Sequence, residues 1–125
     1  MSLILNIETS TTNCSVSISE NDEIIASKEK DFEHYSHSKV LHVYITELFS
    51  KSDLEINDIT AVSISEGPGS YTGLRIGSAT AKGICFALKI PLIAIDTMDI
   101  LAKKIKLPKG YIIPNMDAGR NEIYL

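Results

Sequence analysis

From residue 66 to residue 77 the chain reads Glu-Gly-Pro-Gly-Ser-Tyr-Thr-Gly-Leu-Arg-Ile-Gly. A glycine-rich turn that opens a helix gathers unpaired backbone N–H groups and the positive helix end at one point, a place suited to an anion. Gly67, Gly69, Ser70 and Arg75 are therefore candidate anion-binding residues. The same glycines also suit a tight crossover that lets a helix lie close to a sheet, and no P-loop lysine or magnesium-binding serine accompanies them. Arg75 falls in the first helical turn, where a cation opposes the dipole. That points to a carboxylate or phosphate partner, or else to a plain surface arginine.

Three histidines, His34, His37 and His42, raise the question of a metal. Their spacings of three and five put His34 ahead of the helix that Ser36 or Ser38 would cap, and the cysteines that could complete a zinc site fall in other elements. No metal site is expected, and no Ser-His-Asp or Cys-His arrangement stands out, so no catalytic residue is assigned. Cys14 and Cys85 lack a C-x-x-C pair and are too few for a disulfide framework, which suits a reducing, cytoplasmic setting.

The elements that must position these residues follow from periodicity. Leu3 to Glu8 is an apolar run. Cys14, Val16 and Ile18 then alternate with Ser15, Ser17 and Ser19, and Glu23 to Lys28 gives a third short run. Short connectors at Thr9 to Asn13 and Glu20 to Asp22 make a three-stranded antiparallel meander. Val40, Leu41, Tyr44, Ile45, Leu48 and Phe49 then fall at helical spacing. Ala61 to Ile64 predicts a strand, and Thr72 to Ala87 a helix with Leu74, Ser78, Ala81, Cys85 and Leu88 on one stripe. Leu92 to Asp96 predicts a strand, Thr97 to Lys106 a short helix, and Tyr111 to Met116 with Asn121 to Leu125 a hairpin.

A length of 125 residues suits one domain, and 44% hydrophobic with 22% charged residues permits a packed core. No apolar run approaches the ~20 residues of a membrane helix, and the first residues lack the basic start of a secretory signal. The net charge of −4 is uneven: residues 1–60 carry 4 basic and 11 acidic side chains, residues 101–125 carry 5 and 2. Lys103, Lys104, Lys106 and Lys109 could meet phosphates or be a solvated face. The order β-β-β-α-β-α-β-α followed by a strand pair predicts an α/β fold: a mixed sheet with an antiparallel meander and flanking helices. That is the ribonuclease H-like lobe of the actin, heat-shock and sugar-kinase superfold. In that superfold Glu8, Thr9, Ser10 and Thr11 would sit in the first phosphate loop; an ordinary hairpin with hydroxyl-capped turns is the other reading.

Three stretches carry a family resemblance: Ile4 to Ser10, Ser65 to Gly77, and Pro114 to Tyr124 with Asp117-Ala118-Gly119-Arg120 at its centre. Together they resemble the TsaB (YeaZ) family, the non-catalytic partner of TsaD in making the threonylcarbamoyladenosine modification of tRNA. Gly119 stands where that family usually has an arginine. His37-Ser38 is similar to a His-Ser pair at the start of the family's first helix. The resemblance implies a first lobe over residues 1–108 and the start of a truncated second lobe over 109–125. It implies no cofactor, a TsaD-like catalytic partner, a TsaE-like ATPase in the complex, tRNA reached through that complex, a homodimer when alone, and no membrane.

TsaD carries two histidines four apart on the helix after its fifth strand, a spacing that holds a metal on one helix face. Aligned with this chain, those positions are Thr97 and Leu101. Their loss argues against the metallopeptidase activity implied by the older glycoprotease label; the alternative function is a stand-alone enzyme of the same superfold, nucleotide-using or a metallopeptidase. The resemblance also implies that TsaB-like lobes pair through a four-helix bundle. Val40, Leu41, Tyr44 and Leu48, with Gly73, Leu74, Gly77 and Ala81, are the expected partner surface; packing of both faces on the sheet is the competing expectation.

Overall fold

The computed structural model describes residues 2–33 and 37–125, with the helix position but not the side chain of His37. Apolar residues at every second position set the sheet. Strands β1 (Leu3–Glu8), β2 (Asn13–Glu20) and β3 (Glu23–Asp31) form the expected meander. Helix α1 (His37–Ser50), a 3-10 turn at Ile56–Asp58, strand β4 (Ala61–Gly67), helix α2 (Tyr71–Leu88), strand β5 (Leu92–Asp96) and helix α3 (Thr97–Lys103) follow. Strands β6 (Met116–Gly119) and β7 (Glu122–Tyr124) close the chain as a separate two-stranded sheet. The main sheet has the order β3-β2-β1-β4-β5, with β4 parallel to both β1 and β5.

One face of this sheet is the core. Leu3, Leu5, Ile7, Cys14, Val16 and Ile18 pack against Leu41, Tyr44, Ile45 and Leu48 of α1 and against Ala81 and Cys85 of α2. Burying each large aliphatic side chain contributes about 1.5–3 kcal/mol, so this layer dominates stability. The other face is polar at its centre. Asn6 Nδ2 donates to Ser17 Oγ and Ser19 Oγ, each at 3.2 Å, and Ser63 Oγ donates to Asn6 Oδ1 at 2.6 Å, a ladder running across β2, β1 and β4. At the sheet edge, the Lys28–Glu47 ion pair ties β3 to α1, and the same ammonium lies 4.9 Å from the Tyr44 ring centre.

Helix α2 differs from expectation in its buried stripe, which is Gly73, Gly77, Ala81 and Cys85. The stripe is set by small residues at spacing four, and at Gly77 the helix lies too close to Thr9, in the turn after β1, for a side chain to fit. It ends at Lys89, which takes the left-handed C-cap conformation with φ 56. The terminal strands are shorter than expected and start later, leaving 111–115 without a strand. The expected cap at Ser36 lies outside the described residues. Among the described residues no helix is long and apolar enough to cross a membrane.

Both cysteines are buried free thiols. Burial pushes the Cys14 thiol from 9.0 up to about 11, and raises Cys85, whose hydrogen bonding to the backbone acts in the opposite direction. A thiol reagent at pH 8 is expected to leave Cys14 unlabelled in the native protein and to label it in denaturant, because only the thiolate reacts. Rapid native labelling of Cys14 would contradict the burial. Since its folded pKa lies above the unfolded one, its contribution to stability is present below about pH 9 and declines as the pH rises towards 11.

Candidate functional site

The end of β1, the start of α2 and the start of α3 converge at one end of the sheet. Thr9 is 2% exposed, and its Oγ1 donates to Gly73 O at 2.7 Å. Ser70 N donates to Ser10 O at 2.7 Å, and Ser70 Oγ accepts from Gly73 N at 3.1 Å as the N-cap of α2. The β1–β2 turn and the β4–α2 turn are thus bolted together. Glu8 Oε1 accepts from Ser10 N at 2.8 Å, from Ser65 Oγ at 2.7 Å and from Ser10 Oγ. The carboxylate organises the same junction from the other face of the sheet.

The glycines serve this junction by close approach. A Cβ at Gly69 would stand 2.6 Å from Ser10 O, and one at Gly77 would stand 2.3 Å from Thr9 Oγ1. Gly67 alone of the block takes a positive φ, 121°, followed by a cis bond to Pro68. These contacts engage part of the expected anion-binding set. Ser70 Oγ and Ser70 N bond within the junction, Gly69 lies against Ser10, and Arg75 is exposed with its guanidinium 5.4 Å from the Tyr71 ring centre. The crossover reading accounts for Gly67, Gly69 and Ser70.

The expected partner surface also needs correction. Leu41, Tyr44, Leu48, Gly73, Gly77 and Ala81 are buried inside the chain, and Val40 packs against the same core. Leu74 is half-buried beside Gly67. The wide apolar stripe of α1 is needed internally because α1 touches β2, β3 and α2 at once. A bulky charge at Gly77 would therefore test the fold and not a surface. The outward face of α2 instead presents Ala79, Lys82, Gly83, Ala87 and Phe86, the last 88% exposed, with Val43 of α1 40% exposed.

A groove of about 830 Å³ runs over the polar face, bordered by Asn6, Glu8, Ser65, Ile95, Thr97 and Leu101 among others. Asn6, Ser63 and Ser65 went unremarked as site residues in the sequence, although the alternating serines of β2 and β4 signal a polar face. Thr97 is 2% exposed, and its Oγ1 has no hydrogen-bond partner among the described residues. Leu101 lies one turn further along α3, half-buried. Asp96 caps that helix through Met98 N at 2.7 Å. The side chains of His34 and His37 lie outside the described residues, and His42 is exposed on α1.

The order of the five strands, with helices on the core face and α3 on the other, defines a ribonuclease H-like lobe. Thermus thermophilus RuvC shares this fold at a TM-score of 0.53 and 11% identity, over 80% of this chain and 68% of that one. A family model described as TsaD, tRNA N6-adenosine threonylcarbamoyltransferase, matches residues 31–125. The tRNA threonylcarbamoyladenosine biosynthesis protein TsaB of Buchnera aphidicola is 33% identical over 98% of this chain and 55% of its own length. TsaB of Bacillus subtilis is 31% identical over 97% and 52%. The structure of YeaZ from Pseudomonas aeruginosa superposes with a TM-score of 0.76 at 29% identity, over 83% of this chain and 47% of that one. The chain belongs to the TsaD family of tRNA threonylcarbamoyladenosine proteins, within its TsaB (YeaZ) branch. It spans about half the length of the relatives it matches.

Proposed function

We propose that the chain acts in threonylcarbamoyladenosine synthesis on tRNA, in the cytoplasm, as a non-catalytic subunit that binds and activates a TsaD-like enzyme. The observation that carries this reading is Thr97 and Leu101 on α3, where a TsaD-like enzyme is expected to present two imidazoles. A threonine and a leucine cannot supply that pair of ligands, so the lobe keeps the fold without the metal chemistry. Residues 1–108 are the first lobe in this reading, and 109–125 begin a second.

The docking face is the outward side of α2 with the neighbouring part of α1. Ala79, Gly83 and Ala87 recur at spacing four on that side, so a facing helix can approach closely, and Phe86 supplies an exposed aromatic anchor. The same face would pair two copies in the absence of the enzyme, and a TsaE-like ATPase and tRNA would join through the complex. The test is co-purification with TsaD of the same organism, then reconstitution of the modification with and without this chain. Association and modification that depends on the chain are expected; full activity of TsaD without it would defeat the proposal.

A second reading, a stand-alone enzyme, has one point in its favour: another solved neighbour, 29% identical, is described as similar to the peptidase YEAZ. Sustained ATP or peptide turnover by the purified chain alone would support it.

A further inference from the structure

Four of the 12 basic residues of this acidic chain fall within seven positions, Lys103, Lys104, Lys106 and Lys109. All four are exposed, and among the described residues the one ion pair is Lys28–Glu47, so none of the four has a carboxylate partner. The C-terminal end of α3 accounts for Lys103 in its last turn and Lys104 at its C-cap, since a cation is favourable there. Lys106 and Lys109 follow the helix, in a segment where no helix dipole explains them.

Two further features belong to the same part of the chain. Tyr111, two residues beyond Lys109, is 94% exposed. Arg120 and Asn121 form the two-residue turn between β6 and β7, with φ 55 and φ 59. Asparagine suits a left-handed position, and arginine does not, at a cost of about 1–2 kcal/mol. The turn nevertheless displays a guanidinium at its tip, exposed and without an ion pair among the described residues. Lys104 and Met116, the first residue of β6, border the same groove, together with Asp22, Glu29 and Asp31 across it.

We propose that Lys103, Lys104, Lys106, Lys109 and Arg120 contact the phosphodiester backbone of RNA, with Tyr111 offering its ring to an unstacked base. Lysine ammonium groups are point charges that meet phosphates without reading sequence. An exposed aromatic beside them distinguishes a nucleic-acid surface from one for an acidic peptide, because bases stack on aromatic rings. The inference rests on the proposed function in one respect: tRNA is the RNA at hand.

The experiment uses the 125-residue chain and a labelled, unmodified tRNA transcript, with fluorescence anisotropy read from 25 to 200 mM KCl. Four or five phosphate contacts predict a slope of log K against log salt of about −3 to −4. Replacing Lys103, Lys104, Lys106 and Lys109 together by glutamine is expected to flatten that slope by about 3 and to weaken binding at least tenfold at 50 mM salt. Lys39→Gln with Lys51→Gln, on exposed positions elsewhere, is the control and should leave the slope unchanged. Tyr111→Ala should weaken binding at least fivefold with the slope preserved. An unaltered slope in the quadruple variant overturns the proposal, as does polyglutamate displacing the tRNA from the wild type while Tyr111→Ala has no effect. Either result leaves TsaD association intact as a separate question, and loss of TsaD association with salt-dependent RNA binding preserved would count against the proposed function alone.

Discussion

Gly69→Ala is expected to lower unfolding stability by about 2–4 kcal/mol, the upper range for overpacking, because the new Cβ would meet the Ser10 carbonyl at 2.6 Å and the Ser10 Cβ at 2.7 Å. Neither atom can rotate away, since one belongs to the backbone and the other is fixed to it. Gly77→Ala is a softer case. Its Cβ would meet Thr9 Oγ1 at 2.3 Å but Thr9 Cβ at an ordinary 3.5 Å, so the clash is with one hydroxyl. The single substitution should cost about 1–3 kcal/mol. In a Thr9→Ala background the hydroxyl is gone, and the helical preference of alanine over glycine, about 1 kcal/mol, is recovered. The double variant should therefore be more stable than the sum of the singles predicts, by at least 1 kcal/mol in a denaturant-melt cycle. Simple additivity would show that the Thr9–α2 contact is looser than 2.7 Å between Thr9 Oγ1 and Gly73 O implies.

What the sequence revealed, and what it hid, follows from this junction. An apolar run located β1, and alternation at period two located β2 with Cys14, Val16 and Ile18 on the face that is buried, because burial on one side of a sheet leaves a direct mark on residue type. The glycine block was legible as a close-packing device, yet the partner that required it was not. Ser10 and Thr9 lie some sixty residues away in sequence, and a pattern read along the chain carries no register between β1 and α2. The same gap explains the stripe of α2. Helical spacing read from Leu74 and Leu88 took in Ser78, but the positions that face the sheet are those small enough to fit, Gly73 and Gly77 among them. The partner surface was misassigned for a related reason: an apolar stripe at helical spacing shows that a face is buried, and does not show what buries it. Thr97 was singled out through the family resemblance alone. Nothing in its neighbours announces that its hydroxyl would be buried without a partner.

On the outward side of α2 the fold and the partner surface can be separated by substitution. A Cβ at Gly83 would meet nothing within 4 Å, so Gly83→Glu adds a charge to an open helix face and should improve helical propensity slightly. Phe86 is 88% exposed, so Phe86→Asp removes no core contact of the lobe. Each variant is expected to keep its melting transition within about 0.5 kcal/mol of the parent. An aromatic anchor at the centre of an interface is worth about 2–4 kcal/mol, which corresponds to roughly 30- to 1,000-fold in affinity. Gly83→Glu should act through sterics and desolvation, since a helix that approaches a glycine closely leaves no room for a carboxylate. TsaD association and self-association are therefore expected to fall at least 30-fold in both variants, as read by calorimetry and by sedimentation. The joint response matters, because an isologous pair of this lobe must present the same patch twice, once from each copy. If the variants melt normally and both associations persist unchanged, the outward face of α2 is not the docking surface. If self-association alone fails, the homodimer and the TsaD complex use different faces, and the shared-surface reading is wrong.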